Sequence, residues 1–126
     1  MSYNESKAAE INAHRVNSAV TDVAAPAFDI EANRFVKFLA ADEIGYAAAA
    51  TDAIIGVSDK AGNIGDIIPV FYSGIHKVVA GAAVAAGVFV TSDATGKAVT
   101  GTQANQRGKS IDAATAAGQL ISVSLE

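Results

Sequence analysis

The chain has 126 residues, a formal net charge of −4, no Cys, no Trp and only two Pro. Apolar residues make up 51% of it, but Ala alone supplies 28, against Val 13, Ile 11, Phe 5 and Leu 3. The large apolar share still exceeds that of disordered chains and is enough for one modest core.

Several classes drop out. Without Cys there is no disulfide frame, thiolate metal site or Cys nucleophile. No apolar run approaches the ~20 residues of a membrane-spanning helix. The polar start, Met-Ser-Tyr-Asn-Glu-Ser-Lys, argues against a secretory signal. Nine basic against thirteen acidic residues, with no basic cluster, argues against a nucleic-acid partner.

Residues 1–33 read as an N-terminal arm, part helical and part extended. Ser2 and Glu5 stand at capping-box spacing, with Asn4 as an alternative cap. Ile11, Val16, Ala19, Val20 and Val23 then fall loosely on one helical face, and Pro26 ends any such helix. The stretch has too few large apolar groups for a core of its own, so it is expected to pack on something else.

From Arg34 the pattern changes to short apolar runs with turn punctuation, and residues 34–126 read as one all-β domain. The expected strands are 35–39, 44–48, 53–58, 67–72, 75–79, 88–91, 97–100, 108–111 and 119–125. Ser73-Gly74 reads as a two-residue hairpin turn between the fourth and fifth runs. Pro69 lacks an N–H, which predicts that its strand is bulged or at an edge. Residues 92–96, Ser-Asp-Ala-Thr-Gly, form another turn. In the last run Leu120, Ser122 and Ser124 oppose Ile121, Val123 and Leu125, giving one clean apolar face. The four alanines 47–50 are too few to make a helix unaided, and read as small side chains at a close strand contact. The expected fold is a small β-barrel or sandwich of about eight short strands, with the arm attached.

A pattern recurs inside the domain. Ala82-Ala83-Val84-Ala85-Ala86-Gly87 precedes Val88-Phe89-Val90, and Ala113-Ala114-Thr115-Ala116-Ala117-Gly118 precedes Gln119-Leu120-Ile121. A looser copy is Ala61-Gly62-Asn63-Ile64-Gly65 before Asp66-Ile67-Ile68. Each unit is a small-residue loop ending in Gly, where positive φ turns the chain into the next strand.

These stretches, with Gly56-Val57-Ser58, Gly74, Ser92-Asp93-Ala94-Thr95-Gly96-Lys97-Ala98-Val99 and Gly108, carry a resemblance. Residues 35–125 resemble the capsid cement, or head decoration, proteins of tailed bacteriophages. Asp66 matches the acidic residue that often follows the loop glycine in that family, whereas Val88 and Gln119 depart from it. The resemblance implies a non-catalytic virion protein on the outer surface of an icosahedral head. Its implied partners are the major capsid protein and further copies of itself, a trimer before a dimer. Residues 1–33 have no counterpart in it.

Catalytic constellations are thin. The only histidines are His14 and His76. A triad of Ser58, His76 and an Asp can be drawn but has no supporting motif. No His-x-x-x-His spacing points to zinc. Gly108-Lys109-Ser110 lacks the upstream Gly of a phosphate loop, Gln103 standing there. Asp93-x-x-Gly96 lacks the alternating oxygens of a calcium loop. No enzyme activity, cofactor, metal or membrane association is expected. The alternative from another class is a soluble β-barrel carrier or small-ligand module, with Lys97 at a turn as the point of modification.

Phe35 and Phe38, and likewise Phe71 and Tyr72, point to opposite faces of their strands. One member of each pair is expected in the core and the other at an interface. The expected capsid or subunit contacts are Tyr3, Ile11, Val16 and Val20 of the arm, with Phe35, Phe71 and Tyr72 of the domain.

Overall fold

A computed structural model describes residues 11–16, 30–48, 53–101 and 108–125. Among these residues there are ten strands and no helix: β1 (Ile11–Val16), β2 (Phe35–Ala40), β3 (Glu43–Tyr46), β4 (Gly56–Ser58), β5 (Ile67–Phe71), β6 (Gly74–Val79), β7 (Phe89–Ser92), β8 (Ala98–Thr100), β9 (Gly108–Ser110) and β10 (Leu120–Leu125). The all-β expectation holds, and all nine expected strands are present.

The strands form two units. β1-β3-β2-β4-β5 close into a barrel, and β6-β10-β9-β7-β8 form an open five-stranded sheet. In the barrel only β1 and β3 run parallel; the other neighbours are antiparallel.

Three expectations are corrected. Residues 11–16 are a strand, not helix: His14 and Val16 point inward and Ala13 and Arg15 outward, a period of two. This strand pairs with β5 from Ile11↔Phe71 to Arg15↔Ile67 and supplies one of the five barrel strands. The remaining positions of the expected helix lie outside the described residues. Second, β5 and β6 do not form a hairpin. Both edges of β5 are taken by β1 and β4, so the chain crosses at Ser73-Gly74 to the open sheet, where β6 pairs with β10. Gly74 takes the positive φ of 94° that the crossing requires. Third, Pro69 is in neither an edge strand nor a bulge. It faces Ala13 of β1, and its carbonyl accepts from Asp59 N–H at 3.0 Å, just past the last paired residue of β4. Its nitrogen faces the same way as its carbonyl, toward the end of β4, so the missing N–H falls where that ladder stops.

Two cores follow from the two units. Val16, Ile30, Val36, Ile44, Tyr46, Ile68 and Val70 fill the barrel. The second core lies between the barrel wall and the inner face of the open sheet. Phe35, Ala47, Ile54 and Val57 pack there with Val78, Val90, Ala98, Ile121, Val123 and Leu125. Polar links reinforce the seam. Phe35 N–H donates to Gly96 O at 2.7 Å and Val79 N–H to Asn33 O at 2.9 Å. Ser92 Oγ donates to Ala47 O at 2.6 Å, and Arg34 Nη1 to Thr95 O at 2.8 Å. Buried donors and acceptors left without such partners would each cost about 1–3 kcal/mol.

The repeated loops behave alike. Gly65, Gly87 and Gly118 have φ of 93°, 78° and 94°. The two alanine hexapeptides also meet. Val84 and Ala114 form an antiparallel bridge, with N–H···O distances of 2.9 and 2.8 Å.

Candidate interaction surface

One face of the open sheet is spent on the core; the other is exposed. Across it, Ile75 on β6 stands opposite Ser124 on β10, Ser124 opposite Lys109 on β9, and Lys109 opposite Phe89 on β7. The next row places Lys77 opposite Ser122, with Ile111 N–H donating to Ser122 O at 2.7 Å. The third row pairs Val79 with Leu120. Ile75, Leu120 and Ile111 are 63%, 53% and 49% exposed. Four strands at about 4.8 Å spacing make this face ~14 Å wide. Three exposed large aliphatic side chains, set among serines and lysines, thus share one face of a sheet locked from behind by Val78, Ile121 and Val123. Exposed large apolar groups gathered on one rigid face mark a candidate interaction site.

Two lysines sit on the patch. Lys77 Nζ is 3.6 Å from Asp112 Oδ2, both side chains being about half exposed. The Asp112 carboxyl is held below its ordinary 3.8, first by hydrogen bonding from Ser122 and then by the charge of Lys77. Lys109 has no such partner among the described residues. Its Nζ lies over the Phe89 ring, 5.2 Å from the centroid, a cation–π placement that leaves the ammonium facing outward. The alanine loops border the Leu120 end of the face, with Ala113, Ala116 and Ala117 exposed. Such side chains lose almost no rotamer entropy when covered.

The expected contact residues are scattered. Tyr3 and Val20 lie outside the described residues, as does the side chain of Ile11, whose backbone pairs with Phe71. Val16 and Phe35 are 1% and 0% exposed and belong to the two cores, so they present no surface. Of Phe35 and Phe38, the one in the core is Phe35; Phe38 is 45% exposed. Phe71 and Tyr72 are both half-buried. Phe71 stacks on His76 at 4.0 Å between centroids.

Tyr72 joins a group that no spacing in the chain announces. His14 Nδ1–H donates to Asp42 Oδ1 at 2.6 Å. In that tautomer Nε2 accepts from the Tyr72 hydroxyl at 2.5 Å. Phe38 meets the same imidazole edge-on at 5.1 Å. These partners lie 28 and 58 residues from His14 in sequence. The chain of hydrogen bonds stitches β1 to the β2–β3 turn and to the end of β5. Asp42 holds that turn with a φ of 59°.

The other chemical candidates resolve into structure. Ser58 is buried, and its hydroxyl donates to Glu31 O at 2.8 Å. His76 Nε2–H donates to Ser73 O at 2.6 Å, so the two do not meet as a catalytic pair. The Asp93 carboxylate accepts from the N–H groups of Thr95 and Lys97, both at 2.9 Å; it closes its own turn. Lys97 is half-buried there. Among the described residues no cluster of His, Asp and Glu could hold a metal ion.

The exposed sheet face was missed by the sequence reading. Its one signal was Leu120, the apolar exception on the serine face of β10.

Comparison with known proteins gives the context. The head fiber gp8.5 N base in bacteriophage phi29 is similar in fold, with a TM-score of 0.67, 22% identity and 94% of each chain covered. No curated protein matches the sequence. The family model described as phage cement protein matches residues 14–125, which span both the barrel and the open sheet. The match thus covers nearly all of the described β structure, and the chain belongs to the phage cement protein family, as a structural, non-catalytic virion protein.

Proposed function

We propose that the protein binds the outer surface of an icosahedral phage head and cements adjacent major capsid subunits, stabilising the expanded shell. The observation that carries this reading is the exposed apolar sheet face, together with family membership. The mechanism is adhesion. A ligand that binds only the expanded lattice stabilises that state by mass action, by about 2.7 kcal/mol per site at a hundred times the Kd. Assembly as a homotrimer, made in the host cytoplasm and placed on the head, gives several contacts per particle and adds avidity. Tyr3, Ile11 and Val20 in the N-terminal segment, with the exposed parts of Phe71 and Tyr72, supply secondary contacts.

The test is co-sedimentation of the purified chain with unexpanded and with expanded heads. Selective pelleting with the expanded shell is expected. Equal pelleting with both, or with neither, refutes the reading. Trimming for the N-terminal contacts must stop before Ile11, because removing β1 opens the barrel.

A further inference from the structure

Among the described residues, the outer face of the open sheet has one charge with no opposite charge beside it. Lys77 is neutralised by Asp112, whereas Lys109 sits at the centre of the Ile75–Ser124–Lys109–Phe89 row with only an aromatic ring beside it. A second copy of this face, laid against the first about a two-fold axis near Lys109 at the centre of the row, sets lysine against lysine. Asp112, the one acid on the face among the described residues, is already engaged. Covering Lys109 in that arrangement buries an ammonium without a counter-charge, which is costly. The aliphatic residues around it still call for apolar contact.

We infer that this face is occupied by an apolar surface of a different protein, a shell subunit, that carries a carboxylate positioned to pair with Lys109 Nζ, and not by a second copy of this chain. The inference rests on the shell-binding reading above and adds to it the face used and the chemistry of the partner. Phe89 holds the Lys109 ammonium in place before contact, so less side-chain freedom is lost on pairing. Ile75, Ile111 and Leu120 supply the buried apolar part, and Lys109 sets the orientation.

The experiment uses the full chain and expanded heads, with bound protein measured by co-sedimentation over a concentration series at low salt and at about 1 M salt. Four proteins are compared: the unaltered chain, K109E, L120E, and L39E as a control on the barrel, where Leu39 is also partly exposed. Folding is checked by circular dichroism, and the mass of each free protein by analytical ultracentrifugation. K109E is expected to weaken binding about tenfold at low salt, with the difference shrinking at high salt. L120E is expected to weaken it at least about tenfold at both. L39E is expected to bind as the unaltered chain does. None of the three should change the mass of the free protein.

If the unaltered chain pellets and K109E and L120E pellet equally well, this inference fails and shell binding stands. If L120E or K109E changes the free oligomer, the face belongs to a second copy and the inference is overturned. If the unaltered chain does not pellet, the shell-binding reading falls and takes this one with it.

Discussion

Replacing Phe35 and Phe38 by Ala, one at a time, sets two identical side chains on one strand against each other. Phe35 is 0% exposed in the core between barrel and sheet. Its removal forfeits the transfer free energy of the ring and leaves a cavity walled by elements of both units, which cannot collapse without parting them. Substitutions of this kind cost about 3–5 kcal/mol, a large part of the ~5–15 kcal/mol that holds a domain of this size together. Phe38 is 45% exposed and touches the edge of His14. About half its surface is already in water, so F38A should cost only about 1 kcal/mol. At roughly 3–5 °C per kcal/mol for this length, the expected losses in Tm are about 9–25 °C for F35A and about 3–5 °C for F38A. Urea titration followed by circular dichroism reads the same difference as a shift in midpoint at constant slope. Equal losses for the two variants, or a loss under about 1 kcal/mol for F35A, would refute the assignment of Phe35 to the seam.

Further outcomes are expected. Gly118→Ala meets no atom within 4 Å but must hold a φ of 94°, so it should cost about 1–2 kcal/mol; Gly96→Ala adds to a φ of 79° a Cβ 2.6 Å from the Phe35 carbonyl oxygen and should cost clearly more, both by thermal melting. His14→Ala removes the hydrogen bonds to Tyr72 and Asp42 and loosens β1, at about 1–3 kcal/mol. Asp42→Asn keeps an acceptor on a side chain 75% exposed and should cost under about 1 kcal/mol. Hydrogen exchange localised to β1 distinguishes loosening of that strand from global unfolding.

Much of this architecture was legible from local signals. Strands 35–40 through 120–125 announce themselves because period-two alternation and glycine turns are properties of a few adjacent residues. The alternation in β10 named its buried face, Ile121, Val123 and Leu125, correctly, and the alanine repeats predicted the positive-φ glycines 87 and 118. The family resemblance, too, was carried by those short stretches. What only the tertiary structure decided are the pairings. β1 has few large apolar residues and becomes a strand because β3 and β5 each offer it an unpaired edge. Ser73-Gly74 has the composition of a hairpin turn, yet β5 has no free edge for β6. His14, Asp42 and Tyr72 meet only because barrel closure brings three distant segments to one end. The outer row of Ile75, Lys109 and the half-buried Phe89 exists only once β6, β10, β9 and β7 lie side by side. The physical reason is common to all four. A strand's hydrogen bonds and half of its side-chain contacts are made with chain segments far away in sequence, so which edge is free and which face remains uncovered are properties of the assembled sheet.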